Sequence, residues 1–269
     1  MIDCVSIADR IKEELKPLVS INKKLAIICV GDNPASKLYV RNKMNDAKEL
    51  GVPVLYYQYG EDVTNDELLL LIDMLNKMDD VKGIIIQLPL PEHLDTDLLV
   101  NAIDDSKDID GFKPSSKYTP CTPKGIMTIL DSLDMNLAGK TATILGKGRT
   151  VGRPLIDLLL DRGVTVTICH SRSKKDQINR FVYHSDIVIS AVGKPGLVNK
   201  ENVLNHYEEL PAWIPDKVII DVGISRDENG KQIGDCEKEL RNYVENITGY
   251  TNSVGLMTRM SLFQNLLMD

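Results

Sequence analysis

The sequence lacks an excess of basic residues: Lys and Arg number 32 against 39 Asp and Glu, a formal net charge of −7. Such a chain has no general attraction for nucleic acid or an anionic membrane surface. It also lacks paired cysteines. Cys4, Cys29, Cys121, Cys169 and Cys236 are odd in number, far apart and never spaced Cys-x-x-Cys. That excludes a disulfide framework and a cysteine-based zinc site, and the four histidines show no metal-ligand spacing. No metal is expected. No apolar run approaches the ~20 residues of a membrane span. Met1 to Lys16 mixes acids and bases among its apolar residues, unlike a secretory signal. The expected compartment is a reducing cytoplasm. There is neither an internal repeat nor a low-complexity tract.

What is present is ordinary globular composition: 269 residues, 43% hydrophobic and 26% charged, enough for one to two domains with a sizeable core. Short apolar runs alternate with helix-like segments. Leu25 to Val30 reads as a strand. Asn33 caps a helix with Pro34 at its first position, and Gly51 ends it. Val54 to Tyr57 favours β structure, and Asn65 to Met78 carries Leu68, Leu71, Ile72 and Leu75 at helical spacing. Gly83 to Leu88 is a buried-strand run stopped by Pro89. After a linker at Pro114 to Pro123 come a helix at Thr122 to Leu133 and a strand at Thr141 to Leu145. Then follow a helix at about Val151 to Arg162 and strands at Val164 to Cys169, Asp186 to Ala191 and Val218 to Val222. A final helix runs from about Val254 to Met268. This alternation predicts an α/β chain of two βαβ domains, each with a mainly parallel sheet.

One lysine breaks the pattern. At ~100° per residue, Val40, Met44, Ala47 and Leu50 share an arc of the first of these helices, and Lys43 lies inside it. Tyr39, one turn earlier, neighbours Lys43 on the same face. Lys43 either snorkels past its neighbours to water or faces a cleft, where desolvation lowers its pKa and suits it to act as a base. Gln87 favours the second reading, because it is polar and sits at the C-terminal end of a buried strand, where open α/β sheets place ligand-binding groups. In Lys107-Asp108-Ile109-Asp110-Gly111, an extended backbone would put Asp108 and Asp110 on one side. The cluster is either an acidic turn or a carboxylate that accepts hydrogen bonds from a substrate.

In the second half, the strand at Thr141 to Leu145 runs into Gly146-Lys147-Gly148-Arg149-Thr150-Val151-Gly152, a Gly-x-Gly-x-x-x-Gly turn before a helix. Small residues let the backbone approach a phosphate, and the helix start offers free N–H groups. The next strand ends in His170-Ser171-Arg172-Ser173, with no acid to bond a ribose 2′-hydroxyl. Ser171 and Arg172, with Lys147, suit a 2′-phosphate, which predicts NADP over NAD, with NAD possible. His170 reads as a strand-end residue near the cofactor.

Together these residues resemble the methylenetetrahydrofolate dehydrogenase/cyclohydrolase family. The similarity runs in order through Val30 to Ser36, Tyr39-Val40 and Lys43, then Gln87-Leu88-Pro89-Leu90-Pro91 and Lys107 to Gly111. It continues through Pro120 to Gly125, Gly146 to Pro154 and Asp221-Val222-Gly223-Ile224. The resemblance implies two domains with a folate cleft between them, the C-terminal one a Rossmann-type nucleotide-binding fold. The domains would be residues 1–120, folate-binding and catalytic and completed by 254–269, and residues 121–253, binding NADP. It implies oxidation of 5,10-methylenetetrahydrofolate to the methenyl cation, then hydrolysis to 10-formyltetrahydrofolate, within one-carbon metabolism and purine biosynthesis. Lys43 would be the catalytic lysine, Tyr39 would stack on substrate, and Gln87 would orient the lysine and favour its neutral form. Asp110 would bond the pterin's amino edge, and Leu88, Val254 and Gly255 would border the folate. Gly146, Lys147, Gly148, Ser171, Arg172 and Ile224 would hold the cofactor. A homodimer through the nucleotide domain is implied.

The chain departs from the family where Lys147-Gly148 replaces Arg-Ser, Asn252-Ser253 replaces a diglycine and Leu256 replaces a proline. Asn adopts a left-handed conformation more readily than Ser. Two other readings are a shikimate-dehydrogenase-like NADP oxidoreductase and a non-catalytic homologue that binds folate or nucleotide. The first lacks a counterpart of the Tyr39/Lys43 helix; the second runs against the intact set of Tyr39, Lys43, Gln87 and Asp110.

Overall fold

In a computed structural model, which describes residues 1–204, 214 and 216–268, the apolar runs become the strands of two parallel sheets. The chain divides into two units. One comprises Asp9–Cys121 and Arg259–Asp269 and holds Lys43; the other comprises Met1–Ala8 and Thr122–Thr258 and holds the glycine turn. The division falls inside three helices, α1 (Cys4–Leu15), α5 (Cys121–Asp131) and α9 (Val254–Leu267). It differs from the expected 1–120 with 254–269 at Cys121, which falls in the Lys43 unit, and at Met1–Ala8 and Val254–Thr258, which pack with the glycine-turn unit. There the Ile2 amide donates to the Ile247 carbonyl at 3.1 Å and the Cys4 thiol reaches Ser253 Oγ at 3.9 Å.

The Lys43 unit runs β1 (Lys24–Val30), α2 (Pro34–Leu50), β2 (Val54–Tyr59), α3 (Asn65–Lys77), β3 (Val81–Ile86) and α4 (Thr96–Ala102), with strand order β2-β1-β3. Leu25 to Val30 are all buried because β1 is central and covered on both faces. Edge strand β2 alternates instead. Asn33 caps α2 as expected: its side chain accepts from the Ala35 and Ser36 amides, and Gly51 closes the helix at φ 84°. Helix α3 begins with a capping box between Thr64 and Glu67.

The glycine-turn unit runs α5 (Cys121–Asp131), β4 (Thr141–Leu145), α6 (Gly152–Asp161), β5 (Thr165–Cys169), α7 (Lys175–His184), β6 (Ile187–Ser190), α8 (Lys200–Leu204) and β7 (Val218–Asp221). After the small hairpin β8 (Ser225–Arg226) and β9 (Gln232–Ile233) come β10 (Asn246–Ile247) and α9 (Val254–Leu267). Its sheet has the order β10-β7-β6-β4-β5, all parallel. After β5 the chain crosses to the other side of β4, so the carboxyl ends of β4 and β6 form a topological switch point, where doubly wound sheets bind ligands. The five cysteines are buried and unbridged. Among the described residues no helix is long and apolar enough to cross a membrane.

Each unit closes a helix with a lysine, half-buried Lys107 in one and buried Lys217 in the other. Lys107 donates to the Leu75, Asn76 and Met78 carbonyls at the end of α3, at 3.0, 2.7 and 2.8 Å. Lys217 donates to the Val182, Tyr183 and Ser185 carbonyls at the end of α7. Carbonyls at a helix's C-terminal end lack the full set of intrahelical donors, and a cation there complements the helix dipole. Burial pushes the Lys217 amine down to about 8. Because the folded pKa is depressed, the unfolded chain binds more protons between about pH 8 and 10.5. Lys217 therefore adds stability as pH rises through that window and adds none of this gain below it. In chemical denaturation from pH 7 to 10.5, the stability of the parent relative to Lys217→Met should stay flat up to pH 8. It should then rise by on the order of 3 kcal/mol; a difference independent of pH would contradict the assignment.

Candidate functional site

Helix α2 presents Tyr39, Lys43 and Asp46 along one side. Lys43 does not snorkel: it is 7% exposed, and its Nζ lies 3.9 Å from Asp110 Oδ2. Met44, expected on the buried arc, is 37% exposed instead. The buried face is centred nearer Lys43 and Asp46 than simple apolar counting indicates, because polar side chains occupy part of it. The extended backbone considered for Asp108 to Asp110 is replaced by turns, which give the two carboxylates separate environments. Asp108 accepts from the Lys113 amide at 2.9 Å and shapes the local loop. Asp110 faces Lys43, and burial pushes its carboxyl up, opposed by the lysine and reinforced by Asp108.

Gln87 follows β3, its backbone amide donating to the Ile28 carbonyl at 2.8 Å. Its Nε2 donates to the Leu88 carbonyl at 2.8 Å, which fixes the side chain and leaves Oε1 buried without a protein partner. A buried unpaired amide oxygen is costly in a finished core and fits a site that completes its bonds with a ligand. Leu88 beside it is half-buried. Tyr39 is half-buried, and burial raises its hydroxyl against a smaller opposing effect of Arg259.

Two further charged residues belong to this environment and escaped the sequence reading. Asp46, 7% exposed, accepts from Arg259 Nε of α9. The signal for Asp46 was available, since it lies three residues after Lys43 and so on the same face. Arg259 gave none, standing 213 positions away.

In the glycine-turn unit, Gly146 sits at φ 108°, where a Cβ would lie 2.6 Å from the Ala191 carbonyl oxygen. A Cβ on Gly152 would lie 1.9 Å from the Gly146 oxygen. The first glycine makes the turn and the last lets α6 start against it. A cavity of about 730 Å³ opens at the switch point, lined by Gly146, Lys147, Ser171, Lys175, Val192 and Lys194 among others, and by no carboxylate among the described residues. Its floor includes apolar Leu145, Ile178 and Leu197. A glycine turn, a helix start, three lysines and an apolar floor fit a phosphorylated dinucleotide. His170 also lines it, with Nδ1 accepting from the Arg172 amide at 3.2 Å. The Arg172 side chain is exposed and outside the lining, as is Gly148. Lys175 and Lys194 are cations the sequence reading missed. Ile224 is 49% exposed, its carbonyl oxygen 3.8 Å from where a Gly193 Cβ would stand.

Val254 is buried and Gly255 half-buried in the first turn of α9. In the preceding loop Asn252 takes the left-handed conformation, φ 49°, whereas Ser253 does not and is buried. The residue better able to adopt positive φ is the one that does.

Comparison with known proteins finds one family along nearly the whole chain. A family model described as the tetrahydrofolate dehydrogenase/cyclohydrolase catalytic domain matches residues 2–110, and one for the NAD(P)-binding domain of the same family matches residues 120–269. The bifunctional protein FolD of Campylobacter jejuni is 37% identical, the match covering 98% of this chain and 96% of the relative. The crystal structure of the Campylobacter jejuni enzyme superposes with a TM-score of 0.90 at 37% identity, covering 99% of this chain and 96% of that one. The Trypanosoma brucei methylenetetrahydrofolate dehydrogenase-cyclohydrolase, complexed with NADP and an inhibitor, gives 0.89 at 30% identity, covering 99% and 95%. With nearly the whole chain matched by the two models, the chain belongs to the tetrahydrofolate dehydrogenase/cyclohydrolase family.

Proposed function

We propose that this chain carries both activities of its family: oxidation of 5,10-methylenetetrahydrofolate with NADP, and hydrolysis of the resulting methenyl cation to 10-formyltetrahydrofolate. The observation that carries this reading is Lys43, buried on α2 and 3.9 Å from Asp110, in a chain whose other unit has a cavity at a glycine turn lined by no carboxylate among the described residues. The product belongs to one-carbon metabolism, where it can supply formyl groups for purine biosynthesis. The family match favours neither a non-catalytic homologue nor a shikimate-dehydrogenase-like enzyme.

NADP, when bound, supplies the nicotinamide ring that accepts hydride from the methylene carbon. That step asks little of side chains beyond holding the reacting carbons in place. Tyr39 stacks on the folate ring system, and Leu88, Val254 and Gly255 border it. Asp110 accepts hydrogen bonds from the pterin's amino edge. The hydrolytic step needs a base for the attacking water, a role open only to a neutral amine. Lys43 takes that proton, and Gln87 Oε1, without a partner in the protein, helps orient the amine. Gly146, Lys147, Gly148, Ser171, Arg172 and Ile224 hold the cofactor, the Lys43 unit supplying most of the folate-binding part and the glycine-turn unit the NADP-binding part. The buried, unbridged cysteines suit a reducing cytoplasm.

Three outcomes are expected. Lys43→Met should keep methylenetetrahydrofolate oxidation within several-fold of the parent and lower methenyl hydrolysis by ~10²-fold or more. The methenyl product then accumulates in the absorbance trace, and undiminished hydrolysis would remove Lys43 from its role. With both cofactors assayed, kcat/KM should favour NADP over NAD by about tenfold or more, the worth of one hydrogen bond to a charged group; a preference for NAD would sink the 2′-phosphate assignment. Finally, β5 ends its sheet with an outer edge that pairs with no strand among the described residues, an edge that association could cover. Sedimentation equilibrium should therefore give twice the chain mass, and a monomer at micromolar concentration would refute the homodimer.

A further inference from the structure

Two carboxylates lie buried beside the backbone that lines the cavity of the glycine-turn unit. Asp235 is 0% exposed. Its Oδ2 accepts from Ser190 Oγ at 2.7 Å and from the Val192 amide at 2.9 Å, and its Oδ1 accepts from the Lys194 amide at 2.6 Å. Asp221, at the end of β7 and 5% exposed, accepts from the Asp235 and Cys236 amides at 2.9 and 3.0 Å. Each carboxylate occupies space that a glycine beside the other aspartate leaves open. A Cβ on Gly223 would lie 2.1 Å from Asp235 Oδ1, and one on Gly234 would lie 2.0 Å from Asp221 Oδ2. The site is built: Asp221 fixes Asp235, and Asp235 fixes the backbone leaving β6.

That backbone is a wall of the cavity, which Ala191, Val192 and Lys194 line. We propose that Asp235 is a positioning residue for the dehydrogenase step, holding residues 192–194 in the shape that receives NADP while touching no ligand itself. This rests on NADP binding in the cavity. Three donors converge on one side chain, which a carboxylate satisfies because it is acceptor-only. An asparagine would turn an NH2 group toward either the Lys194 amide or the Val192 and Ser190 donors. Donor would face donor, and the loop would have to shift.

The methenyl hydrolysis uses no NADP, so it supplies an internal control. In the full chain, Asp235→Asn should raise KM for NADP about tenfold, a cost on the scale of one broken charged hydrogen bond. Calorimetry should show a matching weakening of NADPH binding. Hydrolysis of supplied methenyltetrahydrofolate should stay within about twofold of the parent. Unchanged NADP affinity in the variant would overturn the proposal, and so would a parallel loss of hydrolysis, which marks general damage. Should Asp235→Asn fail to fold, Ser190→Ala removes one donor to the same carboxylate. It should raise KM for NADP about threefold with hydrolysis intact; an unchanged KM would again overturn the role. A parent that binds and reduces no NADP would overturn the functional reading and this inference with it. A parent that does so, with variants that match it, would overturn this inference alone.

Discussion

An amine on the packing face of a helix must be compensated, and the surroundings of Lys43 show how. Transfer of a charge from water into a protein interior is costly unless a partner and hydrogen bonds meet it. Asp110 stands opposite Lys43, delivered by the turn after Lys107. One helical turn along α2, Asp46 meets Arg259. Helix α2 therefore buries two acid–base contacts on the side where an ordinary amphipathic helix would bury leucines. The same constraint accounts for Met44 facing outward, because its place in the interior is taken by polar groups.

Parallel strands supply the second organising principle. Every strand of a βαβ sheet ends on the same edge, so groups that follow strands gather there. Gln87 follows β3, the glycine turn follows β4, His170 and Ser171 follow β5, and the Asp235-bound loop follows β6. The opposite ends are handled differently. Lys107 and Lys217 close helix ends at their last carbonyls, so these two lysines are accounted for by backbone chemistry. Burial alone does not distinguish Lys217 from Lys43; what their amines meet does. Lys107 and Lys217 meet carbonyls, and Lys43 meets a carboxylate.

The sheets were legible because buried strands leave apolar runs and their helices leave a helical period; Leu25 to Val30 and Asn33 to Gly51 are examples. Short elements were not. Helix α8 and strands β8, β9 and β10 have two to five residues each, too few for a period to show, and tertiary contacts define them. In the candidate sites, Lys43, Gln87 and the glycine turn stood out because each violates a local rule: a charge on an apolar arc, an amide ending a buried strand, small residues where a helix begins. Arg259, Lys194 and Asp235 violate none, being ordinary polar residues in polar stretches, and only their partners give them meaning.

The sequence by itself determined the alternating α/β pattern, the caps of α2, the turn at Gly146 and the family resemblance, because these depend on residues close together along the chain. Tertiary structure alone decided that Lys43 meets Asp110, that Asp46 meets Arg259, that Gln87 keeps an oxygen unpaired, and that Asp235 gathers donors from β6 and the loop after it. It also decided that Met1–Ala8 packs with the glycine-turn unit. The physical reason is range. Capping and turn preferences act within a few residues, whereas the cost of a buried charge or amide is settled by whichever distant segment the fold brings beside it.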